Sequence, residues 1–402
     1  MRARALALVT GAATLVLLAS CGGDDDDGGP SPVPSPTASS LPVPAPTPSP
    51  SPTPTPTTTA VSRSVVATFD NPWAMAFLPD GRLLVTEKGG ALRLATVTGA
   101  VSAPISGLPA VAAGGQSGLL DVAVDPAYAS NRRIWWSYSE AGSGGKGTAL
   151  ARGTLTIASD GGATLSDVAV IWRQTPKVSG DGHFGGRIAF SPDNKVFLTA
   201  GERQQGSPAQ DLSVTLGKVI RLNLDGSIPS DNPFVGTAGA RSEIWSYGHR
   251  NPYGLVFASD GRLFESEMGP AGGDEFNLVM RGANYGWDAV SEGDRYNNAG
   301  AYPRHSTNTA FAAPLVAWTP VISPSGMIHY TGTRFDGWTG DFVLAGLSAQ
   351  GLVRVRVSGT TAREVARLPL QARIREVEQG PDGAIWVLED GAAGRLIRLD
   401  PV

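Results

Sequence analysis

Residues 61–402 predict an all-β fold, a six-bladed β-propeller, preceded by a disordered Pro-rich linker. Three observations carry that reading. The folded part is rich in Gly and Trp, and its apolar runs are short and alternate as half-buried strands do, with few helical stripes. One turn phrase returns along the chain at the period of a four-stranded blade plus loops. The chain near Val65–Ala67 and the terminal RLIRLD (395–400) both read as strands, so a ring can close between them.

The turn phrase is an apolar pair, then Pro-Asp-Gly or a variant, then an alternating strand. It occurs as FLPDGRLLVTE (77–87), VDPAYASNRRIWWSYSE (124–140), FSPDNKVFLTAGE (190–202), FASDGRLFESE (257–267) and QGPDGAIWVLED (379–390), with a weaker copy, ISPSGMIHY, at 322–330. Proline presets φ for a tight turn and glycine accepts positive φ, so the phrase bends the chain where the alternation breaks. Successive copies lie roughly 45 to 67 residues apart. A pair of packed sheets would not return one phrase at that period, whereas radial repetition does.

Ahead of the propeller the chain has the parts of an export signal. Arg2 and Arg4 are followed by an apolar stretch, Ala5 to Leu18, too short to span a bilayer as a stable helix. Leu18-Ala19-Ser20-Cys21 resembles a bacterial lipoprotein signal, and Cys21 is the only cysteine of 402 residues. Residues 1–20 are therefore expected to be a signal peptide and Cys21 the lipidated residue. Residues 21–60, with four consecutive aspartates and then almost wholly Pro, Ser, Thr, Ala and Val, bury too little apolar surface to fold and read as a spacer. At about 3.1 Å per residue in polyproline II, its Pro-rich part would reach on the order of 90 Å. The expectation is an exported protein, lipid-anchored at the outer membrane facing the periplasm, or at the cell surface.

Without this leader the chain keeps 30 basic and 32 acidic side chains, a balance that points to neither nucleic acid nor an anionic membrane surface. No disulfide is available, so a core must stabilise the domain, and its length suffices for one.

Propellers bind ligands where loops meet on the axis. Four clusters hold polar residues that a blade repeat does not need: GGQSGLLDVAVDP (114–126), SGDGHFGGRIAFSPD (179–193), WSYGHRNPYGLVF (245–257) and EMGPAGGDEFNLVMRGANYGWD (267–288). RIREV (373–377) sets Arg373 and Arg375 on one face of a strand. Of four histidines, His305 and His329 read as structural, and His249 as orienting its loop. His183, flanked by glycines, is expected to be left open to a ligand that the backbone approaches closely. There is no GxSxG, HExxH, P-loop or cysteine nucleophile. One candidate base, arginines, amides and a carbonyl-rich loop suit an anionic, carbonyl-bearing cofactor with a hard cation.

With these motifs, together with NPWAMAFLPDG, LGKVIRLNLDGSIPSDNPF, GPAGGDEFNL, NYGW and RIREVEQGPDG, the chain resembles the soluble glucose dehydrogenase and aldose sugar dehydrogenase family. These are six-bladed propellers that use pyrroloquinoline quinone (PQQ). The resemblance runs from about Phe69 to Asp400 and is closer to the aldose sugar dehydrogenase branch. It implies oxidation of aldoses at C1 to lactones with PQQ and Ca²⁺. His183 would take the anomeric proton as hydride leaves for the quinone C5, and Arg250 would stabilise charge on the quinone oxygen. Gln116 and Asn251 match residues around the cofactor, Gln116 also facing the sugar. The main-chain oxygens of Gly269 and Pro270 match those that hold the catalytic Ca²⁺. Arg373 and Arg375 match arginines that grip the cofactor carboxylates. Glu275 and Tyr285 match a separate structural Ca²⁺ site. The implied partners are an aldose and an external or membrane electron acceptor, with the membrane reached through the lipid alone.

Three departures stand out. Ser348 occupies the place of a cofactor-contacting lysine, Met268 replaces a polar residue, and Glu202 stands where the glucose-specialised branch has aspartate. Glu202 could orient His183 or a sugar hydroxyl. Two alternatives keep the fold: a Ca²⁺-dependent lactonase-type propeller, which needs acidic side chains converging on one cation, and a non-catalytic sugar- or partner-binding surface propeller, for which Ser348 argues.

Overall fold

The computed structural model describes residues 60–402. The expectations for residues 1–59, including the signal peptide, Cys21 and the linker up to Thr59, lie outside the described residues.

Six antiparallel sheets are arranged as blades. The inner strands, in blade order, are Pro72–Phe77, Leu119–Val124, Gly185–Phe190, Pro252–Phe257, Pro324–His329 and Ile374–Gln379. The first strand, Val61–Phe69, pairs with the last, Gly394–Pro401, and becomes the outer strand of blade 6, with Val65 opposite Ile397 and Ala67 opposite Leu396. The expected closure is therefore the observed one, and blade 6 holds both ends of the described chain.

Alternation explains the packing. Each blade buries residues on both faces, and the core divides into six apolar clusters, one at each blade–blade interface. Trp135, Trp136 and Trp386 are wholly or almost wholly buried between blades. Burying an aromatic of that size removes 150–250 Å² from water, which at about 25 cal/mol per Å² is about 4–6 kcal/mol before entropy is counted.

Two details differ from the sequence reading. Blade 1 has three strands, Pro72–Phe77, Leu83–Glu87 and Ala91–Ala95. Its outer edge is covered by coil in which the Ser102 and Ile105 amides donate to the carbonyls of Leu94 and Leu92, both at 2.8 Å. Pro104, Gly107 and Pro109 interrupt a regular fourth strand there. The copy at 322–330 is out of phase. In blades 1, 2, 3, 4 and 6 the phrase turns the chain from the inner strand into the second, whereas Ser323-Pro324-Ser325-Gly326 enters the inner strand of blade 5. The corresponding turn in blade 5 is the longer loop 330–341.

Candidate active site

The register of the blades puts the singled-out residues on one face. Gln116, His183, Asn251, Ser323 and Arg373 each lie at or just before the start of an inner strand. The second strands of the blades run the other way and end on that face. Lys88, Met268, Leu347 and Asp390 each directly follow such a strand, and Glu202 follows the one in blade 3 by two residues. A cleft of about 660 Å³ there is lined by Gln116, His183, Arg250, Met268, Gly269 and Pro270 among others. A second hollow of about 180 Å³ shares Gln116, Met268 and Ser323 with it and adds Trp73, Lys88, Tyr253, Leu347, Arg373 and Arg375.

His183 is placed by backbone. It has a left-handed φ of 49°, uncommon for a residue with a Cβ. Its amide donates to Gln116 Oε1 at 2.8 Å, and its carbonyl accepts from the Arg203 amide at 3.2 Å. A Cβ on Gly201 would lie 2.3 Å from that carbonyl, so only glycine lets the two segments meet. The ring is buried, not open as expected from the glycines, because Gln204 packs over Gly182 and Glu202 takes Nδ1 in a close hydrogen bond. With Nδ1 held by a carboxylate, Nε2 is the nitrogen free to accept a proton. Burial lowers the imidazole pKa, Glu202 opposes that, and Arg250 adds to the lowering. Burial pushes Glu202 up, but His183, the Gly206 amide (2.6 Å to Oε2) and Arg250 together hold it below its ordinary value. Glu202 is 1% exposed, so it is not a solvated strand-end carboxylate.

Arg203, which the sequence reading passed over, braces this loop. Its buried guanidinium donates to the carbonyls of Gly182 (2.8 Å), Lys146 (2.7 Å) and Gly180 (2.5 Å) and lies 3.6 Å above the Phe184 ring. Burial lowers its pKa to about 10, which leaves it charged at neutral pH.

Arg250 NH1 donates to the Met268 carbonyl at 2.9 Å and NH2 to the Tyr296 hydroxyl at 3.0 Å. Its Nε and Asn251 Nδ2 are buried donors without a partner among the described residues. Orphaned donors of this kind cost about 1–3 kcal/mol each unless a ligand satisfies them, and they suit carbonyl or carboxylate oxygens. Gly269 and Pro270 both line the larger cleft, and Asp274 Oδ1 fixes the loop by accepting from the Gly269 amide at 2.8 Å. The other oxygen, Oδ2, accepts from the amides of Ile322 and Ser323 at 2.8 and 2.6 Å.

The smaller hollow is electropositive with an apolar wall. Arg373 and Arg375 share one carboxylate, Asp390, at 2.9 and 2.8 Å, which confirms that they occupy one face. Trp73 and Tyr253 meet edge to face at 5.6 Å. Arg187 holds them from below, 4.1 Å from the Trp73 ring and 2.6 Å from the Tyr253 carbonyl. Flat apolar surface under a surplus of cations fits a planar polyanion.

Glu275 and Tyr285 lie along a different, small space of about 10 Å³. Adjacent strands face Glu265 with Asn277 and Glu267 with Glu275, and His249 sits against Glu265 and Glu267 at 3.6 and 3.3 Å. His249 therefore does brace its loop. Burial disfavours its charge, but the two carboxylates raise its pKa to about 9. Burial and then Glu267 push Glu275 well above its ordinary value, and Glu265 Oε2 and Asn277 Oδ1 are buried without partners. Three buried glutamates against one histidine, with Glu267 and Glu275 lining a space for one small particle, fit a cation. The Tyr285 carbonyl also accepts from His305 Nε2 at 3.0 Å. The cluster does bring together acidic side chains of the kind that the lactonase-type alternative needs. Its space shares Arg250, Met268 and Gly269 with the larger cleft.

The β-propeller and the site gathered on one of its faces define a sugar dehydrogenase. The chain belongs to the glucose/sorbosone dehydrogenase family, whose model matches residues 69–398. It is 41% identical over 338 residues to the aldose sugar dehydrogenase YliI of Escherichia coli, covering 83% of this chain and 90% of that one. The apo-form crystal structure of the soluble E. coli aldose sugar dehydrogenase superposes with a TM-score of 0.80 at 38% identity, covering 85% of this chain and 100% of that one. The PQQ-bound aldose sugar dehydrogenase of Streptomyces coelicolor gives 0.69 at 28% identity, covering 86% and 99%.

Proposed function

We propose that the protein oxidises aldose sugars at C1 to lactones with PQQ and Ca²⁺, and that His183 is the base. The observation that carries this reading is the His183–Glu202 pair opening on a cleft whose neighbour is built for a planar polyanion. PQQ, when bound with Ca²⁺, supplies the hydride acceptor.

The chain's own residues do the rest. Glu202 holds the His183 tautomer with Nε2 unprotonated and aimed at the cleft, and the lowered pKa keeps the ring neutral at neutral pH. As the C1 hydride and its electron pair leave, the anomeric O–H bond breaks and its proton passes to Nε2, leaving the lactone carbonyl. Gln116, exposed at the junction of the two hollows, is placed to orient sugar or cofactor. Arg250 and Asn251 bring a charge and an amide to the developing anion. Gly269 and Pro270 would hold the catalytic Ca²⁺, Arg373 and Arg375 the carboxylates, and Glu275 and Tyr285 the structural Ca²⁺. The electrons would go on to an external or membrane acceptor. Export and a lipid on Cys21 would keep the enzyme near such an acceptor; among the described residues no helix is long and apolar enough to cross a membrane.

The test is dye reduction by the purified protein supplied with PQQ, Ca²⁺ and a panel of aldoses. His183→Ala should bind PQQ and lose turnover. Absence of dye reduction with every aldose overturns the proposal, and retained turnover in His183→Ala removes His183 from its role.

A further inference from the structure

Lys88 was not among the residues the sequence singled out. It directly follows the second strand of blade 1, Leu83–Glu87, in the register that Asp390 occupies in blade 6, Met268 in blade 4 and Leu347 in blade 5. Ring closure sets blade 1 beside blade 6, and Lys88 lines the same hollow of about 180 Å³ as Arg373 and Arg375. Its stem is half-buried, its Nζ donates to the Gly115 carbonyl at 2.7 Å, and no carboxylate pairs with it among the described residues. The charged groups that act on it are Arg375 and Asp390, and Asp390 is already engaged by both arginines. The hollow thus brings three cations together against one carboxylate. One cation is left with only a carbonyl. In blade 5, Ser348 Oγ meets Ser323 Oγ at 2.5 Å and supplies no charge.

We propose that Lys88 is a cofactor-binding residue: its ammonium pairs with a carboxylate of the bound quinone and supplies positive charge that Ser348 does not. This rests on the cleft being a PQQ site. The ligand class is a planar aromatic carrying at least two carboxylates, one for the arginine pair and one for Lys88. A flexible stem already tied by a single neutral hydrogen bond can turn to such a group at little cost.

The test is equilibrium binding of PQQ to the full chain with Ca²⁺ present, followed by quenching of tryptophan fluorescence, with no turnover involved. Lys88→Gln should weaken binding about tenfold at low salt, with the gap narrowing as salt rises, and Lys88→Arg should stay within about threefold of the unaltered protein. The trimethyl ester of PQQ, which lacks the charges, should bind the Gln variant and the unaltered protein alike. Should Lys88→Gln not fold by circular dichroism, Lys88→Met is titrated in its place with the same expectation. Binding of the acid within twofold of the unaltered protein, or equal weakening for acid and ester, overturns the role of Lys88. Failure of the unaltered protein to bind PQQ overturns the cofactor reading, and this inference with it.

Discussion

Replacing Glu202 by glutamine changes one atom of the carboxylate and should remove most of the turnover. The reason lies in what the two oxygens of Glu202 do. Oε2 accepts from the Gly206 amide at 2.6 Å, a fixed backbone donor, and Oε1 takes His183 Nδ1. A glutamine has one acceptor oxygen. If that oxygen stays on the Gly206 amide, the new NH₂ faces Nδ1, and the imidazole must carry its proton on Nε2, where it cannot act as base. If the side chain flips, the NH₂ opposes the Gly206 N–H and a buried donor pair is left unsatisfied, at about 1–3 kcal/mol. The first arrangement is the cheaper one. A histidine held in the wrong tautomer by this kind of substitution has cost about 10⁴ in kcat in the Ser-His-Asp proteases, so a loss of about 10²–10⁴ is expected here. The assay is steady-state dye reduction with PQQ saturating, beside a fluorescence titration of PQQ. The expected result is kcat down by at least a hundredfold with PQQ affinity within about threefold. A kcat within threefold of the unaltered enzyme refutes the tautomer argument.

Other outcomes follow from the same geometry. Burial places the His183 pKa below its ordinary 6.5, so kcat/KM should hold through neutral pH and fall only on the acid side, below that value; an acid limb above pH 6.5 would contradict the buried, neutral base. Arg203→Met would leave three carbonyls without their donor and should cost about 3 kcal/mol of stability while kcat falls at least tenfold, read by thermal unfolding and dye reduction; an unchanged kcat would show that the loop holds His183 without it. Ser348→Lys should tighten PQQ binding severalfold, because Ser348 reaches the hollow through Ser323; no change would mean that position 348 does not face the cofactor. Glu378 lines a cavity of about 290 Å³ with Glu376, Asp121 and Arg187, and burial followed by the charges of Glu376 and Asp121 pushes it well above 4.5. The folded state then keeps a proton that the unfolded chain gives up, so Glu378 lowers stability as pH rises above 4.5. Glu378→Gln should flatten the fall in Tm between pH 5 and pH 8, and an unchanged slope would refute the assignment.

The fold was legible because its signals are local. Pro-Asp-Gly turns and alternating strands are written within about a dozen residues, and blade number follows from counting them. The errors came where local signal and topology part. Ser323-Pro324-Ser325-Gly326 has turn composition yet enters a strand, and blade 1 lost its fourth strand to Pro104 and Pro109. The site was legible where motifs sit against inner strands, as with Gln116, His183, Arg250, Asn251 and the Arg373–Arg375 pair. Lys88 carries no motif, and only ring closure brings blade 1 to blade 6. Arg203 was passed over because burial is what makes an arginine a brace, and burial is not written beside it. The acidic cluster had a usable sign: FESE puts Glu265 and Glu267 two apart, and the facing DEFNL strand sets Glu275 opposite Glu267, so that the three glutamates share one face.

The central claim is that this cleft carries a sugar's hydride to bound PQQ with His183 taking the proton. It is tested most directly by mixing the PQQ- and Ca²⁺-loaded protein with an aldose in the absence of any acceptor and following the quinone absorbance. The account predicts one equivalent of quinone reduced at once and no comparable change in His183→Ala loaded to the same extent. Bound PQQ that stays oxidised with every aldose, or that is reduced equally fast without the imidazole, contradicts it.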